Sequence, residues 1–301
     1  MRWAPCRSSS PGSIHSLSHH AMRKTDLISL LERLQLHPSR RLGQNFLTDD
    51  NCLAALVRAA APSAGERILE IGPGTGALTE KLLEAGCRVT AVEFDRRLAE
   101  YLRERFCAHE AFQLIEGDAC VTDYDRLFSD GTPWRCIANL PYSCGSVIVA
   151  RFCALRNAPL SLHILLQREM AQRLCAACGT ADYGALTVKV ALRYTAEIVR
   201  IVPPGVFFPP PEVASAYVAL HRLPDCAGSA IRKTAAELAT AAFSQRRKKA
   251  LRLLEKTYPN GGFADSFAQL HIAEDARAET ITVAQYLDLA RLMSAKATPG
   301  N

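Results

Sequence analysis

Nowhere in its 301 residues does the chain run to about 18 apolar residues in succession, so no membrane-crossing helix is expected. Its eleven cysteines are odd in number, show no framework spacing and follow no secretory apolar segment. That pattern suits a reducing cytosol rather than a disulfide-held fold. No second Cys pair and no paired His accompany Cys175-Ala176-Ala177-Cys178. The two thiols therefore read as residues on a helix face, and no metal is expected. Acidic residues are missing altogether from residues 1–21, as is any apolar periodicity. Disorder, a mitochondrial transit peptide and an extension ahead of a true start at Met22 all fit such a segment. The good helix that Thr25-Asp26 opens favours the third.

What is present is enough apolar material, 49% hydrophobic residues, to bury a sizeable core, and enough length for two domains. The net charge of +6 is unevenly placed. Residues 1–45 carry seven Lys and Arg against two Asp and Glu, and residues 225–301 carry eleven against eight. Residues 46–224 between them carry 18 against 20. A near-neutral body with basic ends suits an enzyme acting on a polyanion, although plain solubility charge would look the same.

Leu27, Leu30, Leu31 and Leu34 share one face of a helix over residues 26–36. After a polar, glycine-bearing link, Asp49 or Asp50 is placed to cap a helix through Leu53, Leu56 and Val57. From residue 67 strands alternate with helices: strands at 67–71, 88–93, 112–116, 134–139 and 160–167, helices at 77–85, 96–106 and 145–153. Such alternation predicts an α/β fold with a parallel, doubly wound sheet. Helices around 168–176 and 184–194 follow, then strands at 197–202 and 215–221 joined by the stiff, proline-rich stretch 203–211. Residues 231–258 and 265–296 read as helical. The expected division is a sheet domain at 22–224 and a small helical domain at 225–301, with 1–21 outside both.

Two motifs carry chemistry. The first strand ends in Glu70-Ile71 and runs into Gly72-Pro73-Gly74-Thr75-Gly76 ahead of a helix. Strand, glycine loop and helix in that order let backbone approach a nucleotide closely, and the spacing differs from that of dinucleotide enzymes. Glu93, ending the second strand, can take both hydroxyls of a ribose. Asp118, just after the third, can accept from the amino group of an adenine. The second motif, Asn139-Leu140-Pro141-Tyr142, ends the fourth strand. A nucleobase amine is a poor nucleophile because its lone pair is delocalised into the ring. Acceptors on its hydrogens let the nitrogen rehybridise toward a methyl donor. The Asn139 amide oxygen can act with a backbone carbonyl just after it, a role that suits Pro141, which fixes φ and brings no competing N–H. Tyr142 offers a flat face to the base, a contact worth roughly 1–3 kcal/mol. Singly, each of these is also an ordinary helix cap or strand-end turn. In series at the carboxyl ends of successive strands, they point to methyl transfer from S-adenosylmethionine to a nucleobase nitrogen.

From about Arg40 to Leu292 the chain resembles the small-subunit ribosomal RNA adenine dimethyltransferase family, the KsgA type. Gly43-Gln44-Asn45-Phe46-Leu47 is similar to the family's cofactor-capping segment. Gln167-Arg168-Glu169, Tyr183-Gly184, the 203–211 stretch and Phe243-Ser244-Gln245-Arg246-Arg247-Lys248 also match. The resemblance implies a class I S-adenosylmethionine-dependent methyltransferase domain, Rossmann-like, followed by a small helical domain. It implies dimethylation of the N6 amino groups of two adjacent adenosines near the 3′ end of 16S rRNA, within an immature small ribosomal subunit. By the family pattern Gln44, Asn45, Leu47, Gly72, Gly74, Glu93, Asp118 and Asn139 would bind S-adenosylmethionine. Asn139, Leu140, Pro141 and Tyr142 would form the catalytic site, with Phe207 stacking on the other face of the target base. Arg246, Arg247, Lys248 and Lys249, by themselves a solvated helix face, become contacts for RNA phosphates. A cytoplasmic monomer is expected, with the mitochondrion as the alternative. The rivals are a large-subunit rRNA methyltransferase of the antibiotic-resistance type, a DNA adenine methyltransferase, and a mitochondrial rRNA methyltransferase or transcription factor of the same fold.

Overall fold

The structure, a computed structural model, describes residues 24–38, 43–224 and 227–297. The segment 1–21 and Arg40-Arg41-Leu42 lie outside the described residues. Helix α1 (Lys24–Arg33) turns Leu27, Leu30 and Leu31 inward, as their spacing dictates. A short strand β1 (Phe46–Leu47) leads to α2 (Asp50–Ala60), which Asp49 caps by accepting from the Cys52 amide at 2.7 Å. Next come β2 (Arg67–Ile71), α3 (Ala77–Glu84), β3 (Arg88–Glu93), α4 (Arg96–Arg105) and β4 (Phe112–Glu116). The four-residue α5 (Tyr124–Leu127), too short to carry a periodic signal, precedes β5 (Trp134–Asn139), α6 (Gly145–Ala154) and β6 (Ser161–Gln167). Then α7 (Arg168–Leu174) and α8 (Ala185–Ala191) lead to β7 (Tyr194–Val202), β8 (Phe207–Phe208) and β9 (Ser215–Arg222).

The main sheet has the order β4-β3-β2-β5-β6-β9-β7. Strands β2 to β6 are parallel, whereas β9 runs antiparallel to both β6 and β7. The expected parallel sheet thus reverses at β9. Apart from a 3-10 turn at Pro204–Val206, no helix lies between β7 and β9, and antiparallel neighbours need no crossover. As a result the first residue of β9, Ser215, pairs with Gln167 at the end of β6.

Alternate strand residues go to opposite faces. Ile68, Val89, Ile137 and Leu165 join Leu53 and Leu56 of α2 and Leu78 and Leu82 of α3 on one side. Leu69, Ile71, Cys136, Ala138 and Ile164 pack with Ile148, Val149 and Phe152 of α6 on the other. Both faces are covered, which is why these strands read as nearly continuous apolar runs. At roughly 1.5–3 kcal/mol per fully buried Leu or Ile side chain, the two layers hold the sheet in place. Trp134 adds aromatic contacts, stacked on Phe128 with centroids 4.0 Å apart and edge-on to Phe152.

Beyond β9, helices α9 (Ser229–Ala242), α10 (Ala250–Thr257), α11 (Phe263–Gln269) and α12 (Val283–Ala297) build a further apolar cluster. Leu238, Leu254, Phe267 and Leu289 are buried there together with Tyr183, Val188 and Leu192 from in and around α8. The two stretches expected to be helical, 231–258 and 265–296, are helical but each is interrupted. A 3-10 turn at Phe243–Gln245 and the pairing of Lys249 with Arg277 break the first. A positive φ of 53° at His271 and a second 3-10 turn, Ala278–Thr280, break the other. Arg246 to Lys249 therefore form a turn rather than a helix face. Cys175 caps α7 and Cys178 follows it, with Sγ donating to the Glu279 carbonyl at 3.4 Å, so neither lies on a helix face.

Candidate active site

A cleft of about 340 Å³ opens at the carboxyl ends of β2, β3, β4 and β5. Gln44, Asn45, Leu47, Gly72, Gly74, Glu93, Asp118, Asn139, Leu140, Pro141 and Tyr142 all border it. What brings Gly43 to Leu47 to this edge is a two-stranded ribbon apart from the main sheet. Phe46 pairs with Phe208 and Leu47 with Phe207, antiparallel. Thr48 extends the ribbon, donating its amide at 2.9 Å and its hydroxyl at 3.1 Å to the Val206 carbonyl.

Two glycines let the backbones close in. Gly72 has φ +63°, and a Cβ there would lie 3.2 Å from Cγ of Pro141. Gly43 has φ +65°, and its Cβ would lie 2.8 Å from the Tyr142 amide nitrogen. Left-handed backbone and close approach coincide at both, a combination only glycine meets without strain. Arg105 of α4 braces the glycine loop, pairing with Glu80 at 2.9 Å and donating to the Thr75 carbonyl.

The acids differ in their surroundings. Glu93 is 5% exposed; its two oxygens accept from the amides of Gly74 at 3.2 Å and Asp95 at 2.9 Å. Burial nonetheless pushes its carboxyl up to about 7. Glu70, 1% exposed, accepts from the Thr79 hydroxyl at 2.6 Å. Burial pushes it up to about 8, with the Thr79 bond opposing and the neighbouring Glu93 reinforcing the rise. Two carboxyls that burial makes costly to ionise gain from a cationic ligand in the cleft they border. Asp118 accepts from the Cys120 amide at 2.7 Å through one oxygen, which orients the carboxylate at the rim. Phe94, 60% exposed directly after Glu93, also borders the cleft. It was not anticipated; the available signal was a large aromatic where a strand-end acid meets a loop.

In the Asn139-Leu140-Pro141-Tyr142 segment each residue has a different part. Nδ2 of Asn139 donates to the Asn45 carbonyl at 2.9 Å, which turns the amide so that Oδ1 is its acceptor atom. Leu140 buries its side chain in the core and donates its amide to the Leu165 carbonyl at 3.0 Å. The Pro141 carbonyl accepts from the amide of Cys144 at 3.2 Å and from its thiol at 3.5 Å. It is thus committed to a turn rather than being the second acceptor that the sequence suggested. Tyr142, half-buried, shares a hydrogen bond between its hydroxyl and Oγ of Ser215.

Phe207 departs from expectation. It is 3% exposed, belongs to the core cluster of Leu47 and Leu53, and does not border the cleft. Its place in the ribbon, opposite Leu47, is where this structure holds it against the core instead of over a base. Among the basic residues, Arg246 donates to the carbonyls of Ala181 and of Tyr183, the latter at 3.3 Å, and so ties its turn to the segment before α8. Arg247, Lys248 and Lys249 are exposed.

Over residues 36–295 the chain matches the family described as ribosomal RNA adenine dimethylase. It is similar to the ribosomal RNA small subunit methyltransferase A of Bordetella petrii, at 40% identity over 264 residues, 86% of this chain and 97% of that one. It is 38% identical to the protein of that name from Cupriavidus taiwanensis over 267 residues, 86% of this chain and 94% of the other. Among solved structures, a dimethyladenosine transferase from Plasmodium falciparum shares the fold, with a TM-score of 0.69 at 24% identity over 84% of this chain and 98% of its own.

Proposed function

The chain belongs to the ribosomal RNA adenine dimethylase family, a premise from which we propose a substrate and a set of working residues. It is an S-adenosylmethionine-dependent rRNA methyltransferase, and its substrate is the small-subunit RNA. The finer reading is N6 dimethylation of two adjacent adenosines near the 3′ end of 16S rRNA, on an immature small subunit, by a cytoplasmic monomer. No helix among the described residues is long and apolar enough to cross a membrane.

S-adenosylmethionine supplies an electrophilic methyl group on a cationic sulfur. The residues fit it: glycines 72 and 74 leave room for a nucleoside, Glu93 and Asp118 offer carboxylates at its edge, and Glu70 and Glu93 favour a cation. Glu93 takes the ribose hydroxyls and Asp118 the adenine amino group, while Gln44, Asn45 and Leu47 cover them. The observation that carries the reading is the Asn139 amide, fixed by Asn45 with Oδ1 as its acceptor. Oδ1 and the Leu140 carbonyl accept the two hydrogens of the target amine, and Tyr142 holds the base flat. Neither oxygen is a strong base, so the proton leaves the nitrogen for water after the methyl group has arrived. Holding the reacting atoms in line can lower a barrier by about 7–11 kcal/mol. Arg247, Lys248 and Lys249 contact RNA phosphates.

The test is methyl transfer from labelled S-adenosylmethionine to unmodified small subunits, large subunits, naked RNA and DNA in parallel. Mass spectrometry of the digested RNA then locates the methyl groups. Dimethyladenosine at adjacent positions in small-subunit RNA is the expected product. Label confined to large-subunit RNA or to DNA would overturn the assignment.

A further inference from the structure

We propose that Ser215 is a positioning residue for the methyl transfer, acting through the hydroxyl of Tyr142. The inference rests on the reading of Tyr142 as the platform for the target base. Tyr142 borders the cleft and is half-buried, while Ser215 does not border it and is 0% exposed. The Tyr142 hydroxyl and Ser215 Oγ nevertheless share a hydrogen bond across 73 residues of sequence.

The reversal of strand direction explains how they meet. Tyr142 lies just past the carboxyl end of β5, where Asn139 pairs with Leu165 of β6. In a parallel strand the residue reaching that edge would be a last residue. Because β9 is antiparallel, the residue there is its first, Ser215, pairing with Gln167 of β6 and Val202 of β7. Strands on both sides fix its backbone, and burial fixes its side chain. The loop 141–144 that carries Tyr142 is also held by a turn between Pro141 and Cys144 and by its close approach to Gly43. Neither contact reaches the far end of the phenol ring. Ser215 does, and so sets the plane in which the ring presents its face.

A stacking platform that tilts still binds a base, but it misaligns the amine with the methyl donor. A displacement near 1 Å can cost about a hundredfold in rate. The oxygen on Tyr142 thus matters although it touches no reacting atom, so Tyr142→Phe and Ser215→Ala should be equivalent lesions.

The experiment measures kcat, KM for undermethylated small subunits and the Kd for S-adenosylmethionine in Ser215→Ala, Tyr142→Phe, the double variant and Tyr142→Ala. Thermal melts run alongside. Each of the first two should lower kcat by about tenfold to a hundredfold, leave the cofactor Kd within about twofold, and add nothing to the other when combined. Tyr142→Phe guards the test if Ser215→Ala folds poorly, since it removes one oxygen at a half-buried site. Wild-type kcat in Tyr142→Phe, or losses that multiply in the double variant, would overturn the positioning role. Undiminished turnover in Tyr142→Ala would instead remove the platform reading itself.

Discussion

The Asn139 side chain donates through Nδ2 to the carbonyl oxygen of Asn45 at 2.9 Å, across 94 residues of sequence. One bond thus joins the segment proposed to cover the cofactor to the residue proposed to meet the target amine, both at the border of the cleft. It also fixes which way round the amide sits.

Asn139→Ala should therefore lower kcat by about a hundredfold or more, the scale of losing one polar group aimed at a transition state, without unfolding the protein. Asn139→Asp keeps an acceptor but has no hydrogen for Asn45 and sets a carboxylate against its carbonyl. It should lose turnover as well and weaken the cofactor Kd. Steady-state kinetics with calorimetry distinguishes the two. A fully active Asn139→Asp would show that the orienting bond is dispensable.

Gly43→Ala tests the meeting of the covering segment with the Tyr142 loop. Left-handed backbone costs a non-glycine residue about 1–2 kcal/mol, before the clash with the Tyr142 amide is counted. Cofactor affinity should fall by about tenfold or more, and the melting temperature should drop by a few degrees. An unchanged Kd would mean that the segment adjusts freely.

Cofactor binding should depend on pH through Glu93, whose carboxyl lies up at about 7. The ionised form is the better acceptor for ribose hydroxyls. Below pH 7 the Kd for S-adenosylmethionine should therefore rise by about tenfold per unit, and it should level off above. Glu93→Gln should bind more weakly at pH 8 and show a flat profile. Calorimetry from pH 5.5 to pH 8.5 would reveal a slope in the variant if another group were responsible.

Glu70 predicts a stability effect of definite sign. Its carboxyl titrates near 4.5 when unperturbed and at about 8 in the folded protein. Between those values the folded state holds a proton that the unfolded state has released, so stability falls as pH rises through that window and levels above it. Glu70→Gln keeps an acceptor for Thr79 and removes the ionisation. Urea denaturation should show the variant gaining on the wild type from pH 5 to pH 8, by up to about 4 kcal/mol. Parallel curves would refute the assignment.

Charge removal should separate two kinds of basic residue. Arg247→Ala, Lys248→Ala and Lys249→Ala should each reduce the salt dependence of RNA binding by about one unit of slope. Arg246→Ala should instead lower the melting temperature, because its guanidinium ties the turn to Ala181 and Tyr183. A reduced slope without destabilisation would put Arg246 among the phosphate contacts.

The sheet was legible where local punctuation is strong. Strands β2 to β5 begin and end where expected because β2, β3 and β4 stop at a glycine or an acid and β5 at Asn139, two residues before Pro141, and Glu70, Glu93 and Asp118 lie at or beside those stops. The ribbon was not legible. Two-residue strands such as Phe46–Leu47 are too short to display a period, and their partner lies some 160 residues away, a pairing that only the tertiary structure creates. The same limit hid Ser215, an unremarkable strand residue until β9 is known to reverse direction. It also misplaced Phe207, whose family resemblance said nothing of the side it would take opposite Leu47. The turn at 246–249 was missed because charged residues there fit a helix pattern locally, and pairing with Arg277 overrides it.

The ribbon of Phe46–Leu47 with Phe207–Phe208 has a consequence for the growing chain. Every residue that borders the cleft, from Gly43 to Cys144, has been synthesised well before Phe207 leaves the ribosome. Yet the segment Gly43 to Leu47, which Asn139 can already bond through Asn45, gains its strand partner only at that point, and Ser215 follows a few residues later. Non-local pairing of this kind forms slowly because a long loop must close first. The nucleotide-binding half is thus made early and finished late, and a nascent chain arrested before residue 207 should fold its central strands without being able to retain S-adenosylmethionine.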